Sequence, residues 1–548
     1  MTLSPLGDSA VVLTLGGVVD SAMVARVRSL AAAIEHRRLR GVVDVVPAFA
    51  SVAVFYDAAH SDSLAKLGAD LEAIATEADH AVVSGEPRRV EIPVCYGGEF
   101  GPDLEEVAGQ HALPVREVIA LHSGADYLVH AIGFVPGFPY LGGLPEKLAT
   151  PRRATPRPRV PAGTVGIGGA QTGVYSLATP GGWSLIGRTP LRLFDPGRSE
   201  PALLEAGDHV QFRAIHPEEF AQMAAEIYPG GTTPSAGPDG SAGIEVIRPG
   251  VFTTVQDAGR VGHRAEGVVL SGAADTFALR VANLLVGNPP GAAGLEFTMI
   301  APELKFHHDT IVALGGAEVT GLPSWQPLFI KAGTVLNIGQ VRRGCRGYLA
   351  VAGGMDVPLV LGSRSTYVRA AFGGFNGRPL NPGDVLPLPG LARSLRGRWH
   401  IDERILPHYS GAPVIRVVRG AQADEFGPEF FSGTYTVTPQ ADRMGVRLHG
   451  AALARNAPSE LLSAAVVPGT IQVPPDGQPI VLLADAQTIG GYPQVAHVIA
   501  NDLPLMAQVR PGDTVRFQEM TLDEAHEHAR VRERALAILQ EGLAQKMR

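Results

Sequence analysis

The sequence of 548 residues is too long for a single hydrophobic core, and its length predicts three or four domains. Its 66 glycines and 44 prolines favour many short strands and turns over long helices. The net charge of -8 is spread along the chain, which excludes a basic nucleic-acid-binding face, and no apolar run approaches the roughly 20 residues of a membrane helix. With only two cysteines, a disulfide framework is not indicated, and we expect a cytoplasmic protein.

The N-terminal region has the pattern of a small α/β domain. Strands are predicted at 9–15, 42–46, 51–56 and 90–94, and helices at 21–39 and 64–75. Asp20 is the predicted N-cap of the first helix. The order βαββαβ is that of a ferredoxin-like sandwich, which predicts a domain over residues 1–85.

The rest of the chain is mainly β by pattern. Residues 86–228 predict a β-barrel with two short helices, and residues 229–243, composed only of Pro, Gly, Thr, Ser, Ala and Asp, predict a flexible linker. Residues 244–400 predict a barrel-like domain, in which Asp275 caps a helix. Residues 401–548 predict a second β domain with a C-terminal amphipathic helix lying on it.

A turn-and-strand pattern occurs three times. Each copy starts with a Gly-Thr turn before an apolar strand and reaches a Gly-Asp turn some 40 to 50 positions later. The turn glycines are Gly163 and Gly207, Gly333 and Gly383, and Gly469 and Gly512. Tight turns need a positive φ, which glycine supplies. The pattern favours three related β modules, with chance recurrence of common hairpin turns as the alternative.

Standard cofactor signatures are missing. The sequence has no Gly-x-x-x-x-Gly-Lys-Ser/Thr phosphate loop, no complete Gly-x-Gly-x-x-Gly fingerprint, no Gly-x-Ser-x-Gly elbow, no His-Glu-x-x-His zinc helix and no Met-Lys-Met biotin attachment site. His526-Glu527-His528 has the wrong spacing for zinc, and we expect it on a solvated helix face. Any ATP or biotin that the reaction uses is therefore expected with or on another chain.

A first group of candidate site residues lies in Gly- and Pro-rich loops of the first half. Its members are His130, Arg152, Arg157, Gln171 and Tyr175. Stiff loops of this kind let backbone amides approach a small anion, and arginine offers bidentate hydrogen bonds to a carboxylate. The alternative is structural, with glycines at barrel corners and arginines on the surface.

A second group lies in the run Asp485–Pro493, where a strand delivers polar side chains to the end of a barrel. Asp485 is a candidate general base, and Gln487 and Tyr492 are candidates for holding a carbonyl oxygen. The alternative is that Asp485 caps a turn. Further ligand-binding candidates are Thr488, Gly490 and Gly491 and, in a similar loop upstream, Asp257 and Arg260.

Several long motifs occur in a fixed order. In the first half they are His130-x-x-Gly-Phe-x-Pro-Gly-Phe-Pro-Tyr-Leu, Pro151-Arg152-Arg153, Pro161-Ala-Gly-Thr-Val and Pro180-Gly-Gly-Trp-x-x-Ile-Gly-Arg-Thr. In the second half they are Gly250-x-x-Thr-Thr-Val-Gln-Asp-x-Gly-Arg, Leu361-Gly-Ser-Arg-Ser-Thr, Asp442-Arg443-Met444-Gly445 and Asp485-x-Gln-Thr-x-Gly-Gly-Tyr-Pro. Together they resemble the paired family of allophanate hydrolase subunits 1 and 2, also called 5-oxoprolinase subunits B and C.

The resemblance implies a ferredoxin-like N-terminal domain, cyclophilin-like β-barrels in both halves and kinship with the carboxyltransferase domain of urea carboxylase. It implies a fused B and C component of an ATP-dependent 5-oxoprolinase, which opens the 5-oxoproline lactam to glutamate together with a separate A subunit. The alternatives are a carboxyltransferase-like component for urea- or allophanate-type substrates and a non-catalytic protein that regulates a kinase.

On the leading hypothesis, Asp485, Gln487, His130, Arg152 and Gln171 face one cleft. Lactam opening requires a carboxylate clamp, a donor to the carbonyl oxygen and an acid/base group. The expected ligand is a small amide or carboxylate, and the expected partner is the A subunit, which binds ATP or shares its binding. The sequence does not decide whether the protein forms a homo-oligomer. We expect no bound metal and no binding to a nucleic acid or a membrane.

Overall fold

The computed structural model describes residues 1–61, 63–80, 88–227, 243–389, 399–456 and 461–547. The fold is mainly β, as predicted. Four modules follow one another: an open N-terminal sheet, a closed barrel, a pair of open sheets and a second closed barrel. The predicted linker 229–243 lies outside the described residues, apart from Gly243.

The N-terminal module is an antiparallel sheet with two helices on one face. Its elements are β1 (Thr2–Leu6), β2 (Ala10–Thr14), α1 (Ser21–Arg37), β3 (Val42–Ala48), β4 (Ser51–Tyr56) and α2 (Leu64–His80), and the strand order is β1-β2-β4-β3. Asp20 caps α1 by accepting a hydrogen bond from the NH of Met23 (2.8 Å), as predicted. Side chains alternate between the faces of a strand, so Leu13 packs under the helices whereas Ala10 faces the last module.

The first barrel follows. Its elements are β5 (Arg89–Tyr96), α3 (Leu104–Gln110), α4 (Val115–Gly124), β6 (Asp126–Ile132), β7 (Pro139–Gly142), a 3-10 turn (Glu146–Leu148), β8 (Arg157–Val160), β9 (Thr164–Gly168), β10 (Gln171–Val174), β11 (Thr179–Gly181), β12 (Ser184–Arg188), β13 (His209–Ala214) and α5 (Pro217–Ile227). The strand predicted at 90–94 is part of β5, which pairs in parallel with β13. The predicted βαββαβ order is therefore wrong at its last strand, because a strand pattern does not specify its partner; the N-terminal sheet is completed by the β1–β2 hairpin instead.

The middle module differs from the predicted barrel-like domain, because its strands form two open sheets around one core. Its elements are β14 (Gly243–Arg248), β15 (Phe252–Gln256), a 3-10 turn (Arg264–Glu266), α6 (Thr276–Leu285), β16 (Gly294–Thr298), β17 (Glu303–Phe306), β18 (Thr310–Val319), β19 (Pro327–Ile330), β20 (Val335–Asn337), β21 (Val341–Val351), a 3-10 turn (Val368–Ala370) and β22 (Val385–Pro387). Asp275 caps α6 through the NH of Ala278 (2.9 Å), as predicted.

The last module is the second barrel. Its elements are a 3-10 turn (Glu403–Ile405), β23 (Val414–Arg419), a 3-10 turn (Ala423–Glu425), α7 (Glu429–Ser432), β24 (Tyr435–Val437), β25 (Gly445–His449), β26 (Ala464–Ala465), β27 (Thr470–Gln472), β28 (Ile480–Leu482), β29 (Ile489–Gly490), β30 (Gln494–Val498), α8 (Leu503–Ala507), β31 (Thr514–Glu519) and α9 (Leu522–Lys546).

The two barrels have the same topology. The first has the cyclic strand order β10-β7-β6-β13-β5-β12-β9, and the second has β28-β25-β24-β31-β23-β30-β27. Taken in chain order, each strand of one barrel corresponds to one strand of the other. Each barrel also contains a parallel pair between its first and last strands, β5 with β13 and β23 with β31.

The repeated turns explain part of this likeness. Each of the six predicted turn glycines has a positive φ, between 81° and 97°. In the barrels these turns precede β9, β13, β27 and β31, and in the middle module they precede β20 and β22. The predicted positive φ of the turn glycines is confirmed, and the same type of turn occurs in both the closed barrels and the open sheets.

Helix α9 joins modules that are distant in the sequence. Ala525 packs on Val418 of the last barrel, Ala529 contacts the N-terminal core, and Leu536 lies in a cluster with Phe277 of the middle module. The helix therefore lies on the last module, as predicted, and it also contacts two modules that the prediction did not include. His526 is buried and hydrogen-bonds to the hydroxyl of Tyr56 (3.0 Å), so the expected solvated face is wrong at this residue.

Candidate active site

Each barrel carries a two-stranded ribbon outside its wall, β8–β11 on the first and β26–β29 on the second. The ribbons occupy corresponding places in the two barrels. They also meet, because Ile489 of β29 packs in one cluster with Val160 of β8 and with Tyr175. The structure thus brings the motif-bearing segments of both halves to one interface.

The first-half side of this interface is a buried aromatic cluster. The ring of Phe138 lies 5.1 Å from Tyr140, 5.4 Å from Tyr175 and 5.6 Å from Trp183 between centroids, each edge-to-face. This is the preferred geometry of aromatic pairs. The side chain of Ser463, beside the opposite ribbon, lies near the Tyr140 hydroxyl and opposes the rise in the pKa of Tyr140 that burial causes. The cluster therefore presents phenol groups to the second half.

Two predicted arginines flank these phenols. Arg152 is exposed, with its Cζ 5.9 Å from the Trp183 ring centroid, and Arg157 donates to Asp103 (2.6 Å). Burial raises the pKa of Tyr175 to about 12, although the charges of both arginines oppose the rise. Tyr175 is thus a protonated hydrogen-bond donor at neutral pH. A guanidinium beside a neutral phenol suits a small carboxylate ligand.

His130 lies on β6, next to the same cluster. Its ring is 5.9 Å from that of Phe49, which is in turn 5.7 Å from Tyr140. Burial lowers the pKa of His130, so the imidazole is neutral at pH 7. Gln171 is half-buried on β10, opposite Gly168 of β9. Within the described residues, no hydrogen bond joins either side chain to Asp485.

The loop from Asp485 to Pro493 is held by two other modules. Immediately before it, the carbonyl of Ala484 accepts a hydrogen bond from the NH of Ser271 in the middle module (2.9 Å). At its centre, Ile489 approaches Gly133 of the first barrel so closely that a Cβ on Gly133 would lie 2.5 Å from Ile489 Cδ1. The loop is therefore positioned by contacts on both sides.

Asp485 belongs to a buried ionic group. Arg443 donates to both of its carboxylate oxygens (2.8 and 3.0 Å) and also to Glu296 of the middle module and to the carbonyl of Gly272. Burial works against ionisation of Glu296, but the positive charges of Arg443 and Arg346 outweigh it and hold the pKa of Glu296 below its usual value. Because Arg443 engages both oxygens of Asp485, the geometry favours anchoring of the loop, and the role of general base stays a prediction.

The other predicted loop residues differ in exposure. Gln487 donates to Gln472 (3.4 Å), and the Tyr492 side chain is 47% exposed. Thr488 is buried, and its hydroxyl has no hydrogen-bond partner within the described residues. Gly490 and Gly491 lie at the ribbon, where Gly490 packs on the side chain of Gln472. The amide pair Gln472–Gln487 offers polar groups near the aromatic cluster.

Asp257 and Arg260 lie in the middle module, behind Asp485. Asp257 accepts hydrogen bonds from the hydroxyls of Ser363 and Ser365 and from the NH of Arg364 (2.6 Å). Arg260 is fully buried, donates to the carbonyls of Val360 (3.0 Å) and Ser365 (2.6 Å), and has its pKa lowered to about 10 by burial. These side chains bond mainly to one loop, and their contact with a ligand stays a prediction.

Sequence reasoning assigned no role to Arg443, Glu296, Gln472 or Ser463. Arg443 was visible within a motif, but its partner Glu296 lies 147 positions away. Gln472 lies on β27 of the second barrel, and Ser463 immediately precedes the ribbon strand β26. The local sequence pattern does not show that these residues face the first barrel. A repeat alignment of the two barrels would have marked both ribbons as corresponding segments.

The fold and the paired ribbons define a protein of the carboxyltransferase-domain class. Family models for the carboxyltransferase domain match twice, subdomains C and D at residues 1–204 and subdomains A and B at residues 266–519. The crystal structure of Kluyveromyces lactis urea carboxylase covers 72% of this chain, and 37% of that chain, with a TM-score of 0.52 and 25% identity.

Individual relatives identify the family more narrowly than the domain models do. The first half is 45% identical to the 5-oxoprolinase B subunit of Bacillus subtilis (strain 168), over 40% of this chain and 94% of the relative. The second half is 40% identical to the 5-oxoprolinase C subunit of Escherichia coli (strain K12), over 52% of this chain and 93% of the relative. The crystal structure of TTHA0988 covers 93% of this chain and 99% of that chain, with a TM-score of 0.79 and 35% identity. The chain belongs to the family of 5-oxoprolinase subunits B and C, with both joined in one polypeptide.

No helix in the described parts of the chain combines the length and apolarity that crossing a bilayer requires.

Proposed function

We propose that this chain is the B and C component of an ATP-dependent 5-oxoprolinase, which opens the 5-oxoproline lactam to glutamate together with a separate A subunit. The observation that carries the proposal is the meeting of the two ribbons, which brings the half similar to the B relative and the half similar to the C relative to one interface. ATP is assigned to the partner, or to a site shared with it, because the chain has no phosphate loop.

The substrate carboxylate is assigned to Arg152, which is exposed beside the phenol of Tyr175. A charge-assisted hydrogen bond of this kind is worth about 1.5–3 kcal/mol. Tyr175, Gln487 and Tyr492 are the candidate donors to the lactam carbonyl, and neutral His130 is the candidate acid/base group. Asp485 acts in this proposal either as a second acid/base group or by fixing the loop through Arg443.

Activity of the reconstituted system tests the proposal. The purified chain is mixed with a candidate A subunit, ATP and 5-oxoproline, and glutamate and ADP are measured. We expect equal amounts of both products, and no product when either protein is omitted. A folded pair that forms a complex yet yields no glutamate would remove the proposal.

The carboxylate clamp has a matched control. Arg152→Gln is expected to raise KM for 5-oxoproline about tenfold or more, whereas Arg153→Gln, at the adjacent arginine paired with Glu106 (3.1 Å), should leave KM near its original value. Equal effects of the two substitutions would argue against a specific contact with Arg152.

A second candidate function follows from the family models, which describe a carboxyltransferase domain. In that case the chain transfers a carboxyl group to a urea-type substrate, and it needs a separate biotin carrier because it has no attachment site. Incubation with a biotin carboxylase, its carrier, bicarbonate and urea distinguishes the two: carboxylated urea supports the second function, and its absence alongside glutamate formation supports the first.

A further inference from the structure

A cavity of about 200 Å³ lies where the N-terminal module, the middle module, the second barrel and helix α9 meet. Residues from all four line it, including Asp8, Thr276, Arg280, Asn501 and Arg532. None of the candidate site residues described above belongs to its lining. The volume is below the roughly 300 Å³ at which pockets for drug-sized ligands begin, so the cavity suits a molecule of amino-acid size.

Two opposite charges in this cavity are not paired with each other. Arg532 donates to the backbone carbonyls of Ala500 (3.4 Å) and Asn501, and its Cζ lies 5.8 Å from the ring of Phe277. Asp8 is buried, and its carboxylate accepts a hydrogen bond from the NH of Ala500 (2.8 Å). Within the described ranges, neither side chain forms an ion pair, although the negative charges of Asp275, Asp502 and Glu533 act on Arg532 and oppose the lowering of its pKa.

A neighbouring pair in the same cavity shows the contrast. Arg280 and Glu533 face each other and form two hydrogen bonds, one of them 2.7 Å long. At this junction, Arg280 and Glu533 therefore form an ion pair, whereas Asp8 and Arg532 do not. Asp8 is buried and Arg532 is half-buried, and a buried charge without an ion-pair partner is destabilising, which makes the separation of these two charges informative.

The electrostatics of both groups agree with this contrast. Burial raises the pKa of Asp8 to about 6, although Arg532 opposes the rise, and burial lowers the pKa of Arg532 to about 10. The groups that face Asp8 are Arg532 and His526 of α9, Tyr56 of β4 and Asp502 of the second barrel. None of them forms an ion pair with the ionised carboxylate.

We propose that this cavity binds a small α-amino acid, whose carboxylate pairs with Arg532 and whose ammonium group pairs with Asp8. A zwitterion offers a direct ion-pair partner to both side chains at once, whereas a simple anion or cation offers a partner to only one of them. The hydroxyl of Thr276 and the amide of Asn501 lie in the same lining and offer further hydrogen bonds. The bound amino acid would link the N-terminal module to α9 at a site separate from the ribbons.

Glutamate is the first probe, and this choice alone rests on the proposed function, in which glutamate is the product. 5-Oxoproline is the matched comparison, because its lactam nitrogen carries no positive charge. Glycine and alanine test whether the cavity recognises the α-amino acid group itself or the glutamate side chain.

Isothermal titration calorimetry of the full chain, without an A subunit or ATP, tests the proposal at pH 7.5. We expect saturable binding of at least one of the three amino acids and about ten- to hundredfold weaker binding in Arg532→Gln and Asp8→Asn. Arg419→Gln, at an exposed arginine outside the cavity, should leave the affinity unchanged. Melting temperatures confirm that each variant is folded.

The pH dependence gives a second readout. Ammonium binding requires ionised Asp8, so the affinity should fall as the pH drops below about 6, and Asp8→Asn should lose this dependence. No binding of any of the three amino acids to the folded wild-type chain would overturn the proposal. Binding abolished by Arg152→Gln and kept by Arg532→Gln would overturn it as well. Neither result depends on turnover, so the proposed 5-oxoprolinase activity is judged separately.

Discussion

The two barrels share one strand order but present opposite chemistry at corresponding places. On the first barrel, the segment after β10 delivers Tyr175 into an apolar aromatic cluster. On the second, the segment after β28 delivers Asp485 into an ionic group with Arg443 and Glu296. The shared topology thus determines the position of each segment, whereas its side chains determine whether that position is apolar or charged.

Removal of Arg443 should have the largest effect, because it removes the arginine that holds the ionic group of the second barrel together. Arg443→Ala leaves the buried carboxylate of Asp485 without its ion-pair partner and Glu296 with only the more distant Arg346 (3.9 Å). We expect a loss of about 3–5 kcal/mol of stability, measured by thermal and urea unfolding. Arg447→Ala, at an exposed arginine on β25, is the control and should change stability by less than about 0.5 kcal/mol. Similar losses in both variants would show that the ionic group is not specific.

Asp485→Asn tests chemistry separately from anchoring. If Asp485 is an acid/base group, coupled 5-oxoprolinase activity should fall about 10²- to 10⁴-fold while the melting temperature stays close to that of the wild type. If Asp485 only anchors the loop through Arg443, activity and melting temperature should fall together. An Asn variant that melts normally and retains full activity would exclude the acid/base role.

Gly133→Val tests the contact between the first barrel and the ribbon of the second barrel. A Cβ at this position would overlap Ile489, so the loop must shift, and overpacking of this kind is destabilising by about 1–3 kcal/mol. We expect a chain cut by protease within residues 229–243 to remain associated on gel filtration, and the cut Gly133→Val chain to separate at higher concentration. Gly17→Val, at a glycine with open space around it, controls for the loss of a glycine as such. Complete separation of the cut wild-type halves at micromolar concentration would contradict a shared site.

Tyr140→Phe should have the smallest effect. It removes the hydroxyl that lies near Ser463 across the interface and leaves the aromatic ring in place, so we expect a loss of at most about 0.5–1.5 kcal/mol, the net contribution of one hydrogen bond. Tyr127→Phe, which removes a hydrogen bond to the His122 carbonyl inside the first barrel, is the matched control. Only Tyr140→Phe should weaken association of the cut halves; equal weakening by both would indicate a general loss of barrel stability.

Helix caps and turns could be predicted from the sequence, whereas the pairing of strands and of distant charges could not. Asp20 and Asp275 cap helices as expected, and the repeated turn glycines take positive φ, because each depends on a few adjacent residues. The partner of β5 was mistaken, since any strand of suitable pattern can join either sheet. The Glu296–Arg443 pair was missed, since nothing in local spacing encodes a contact between modules.

The position of helix α9 has a consequence for biosynthesis. The N-terminal module is synthesised first, yet the helix that buries part of it is synthesised last. At about 5–20 residues per second, the N-terminal core around Leu13 waits for roughly 25 to 100 seconds until Ala529 is translated. During this interval the nascent chain exposes the apolar surface that α9 later covers. Because both halves are joined in one polypeptide, the docking of the helix is intramolecular, at an effective concentration set by the chain that connects them.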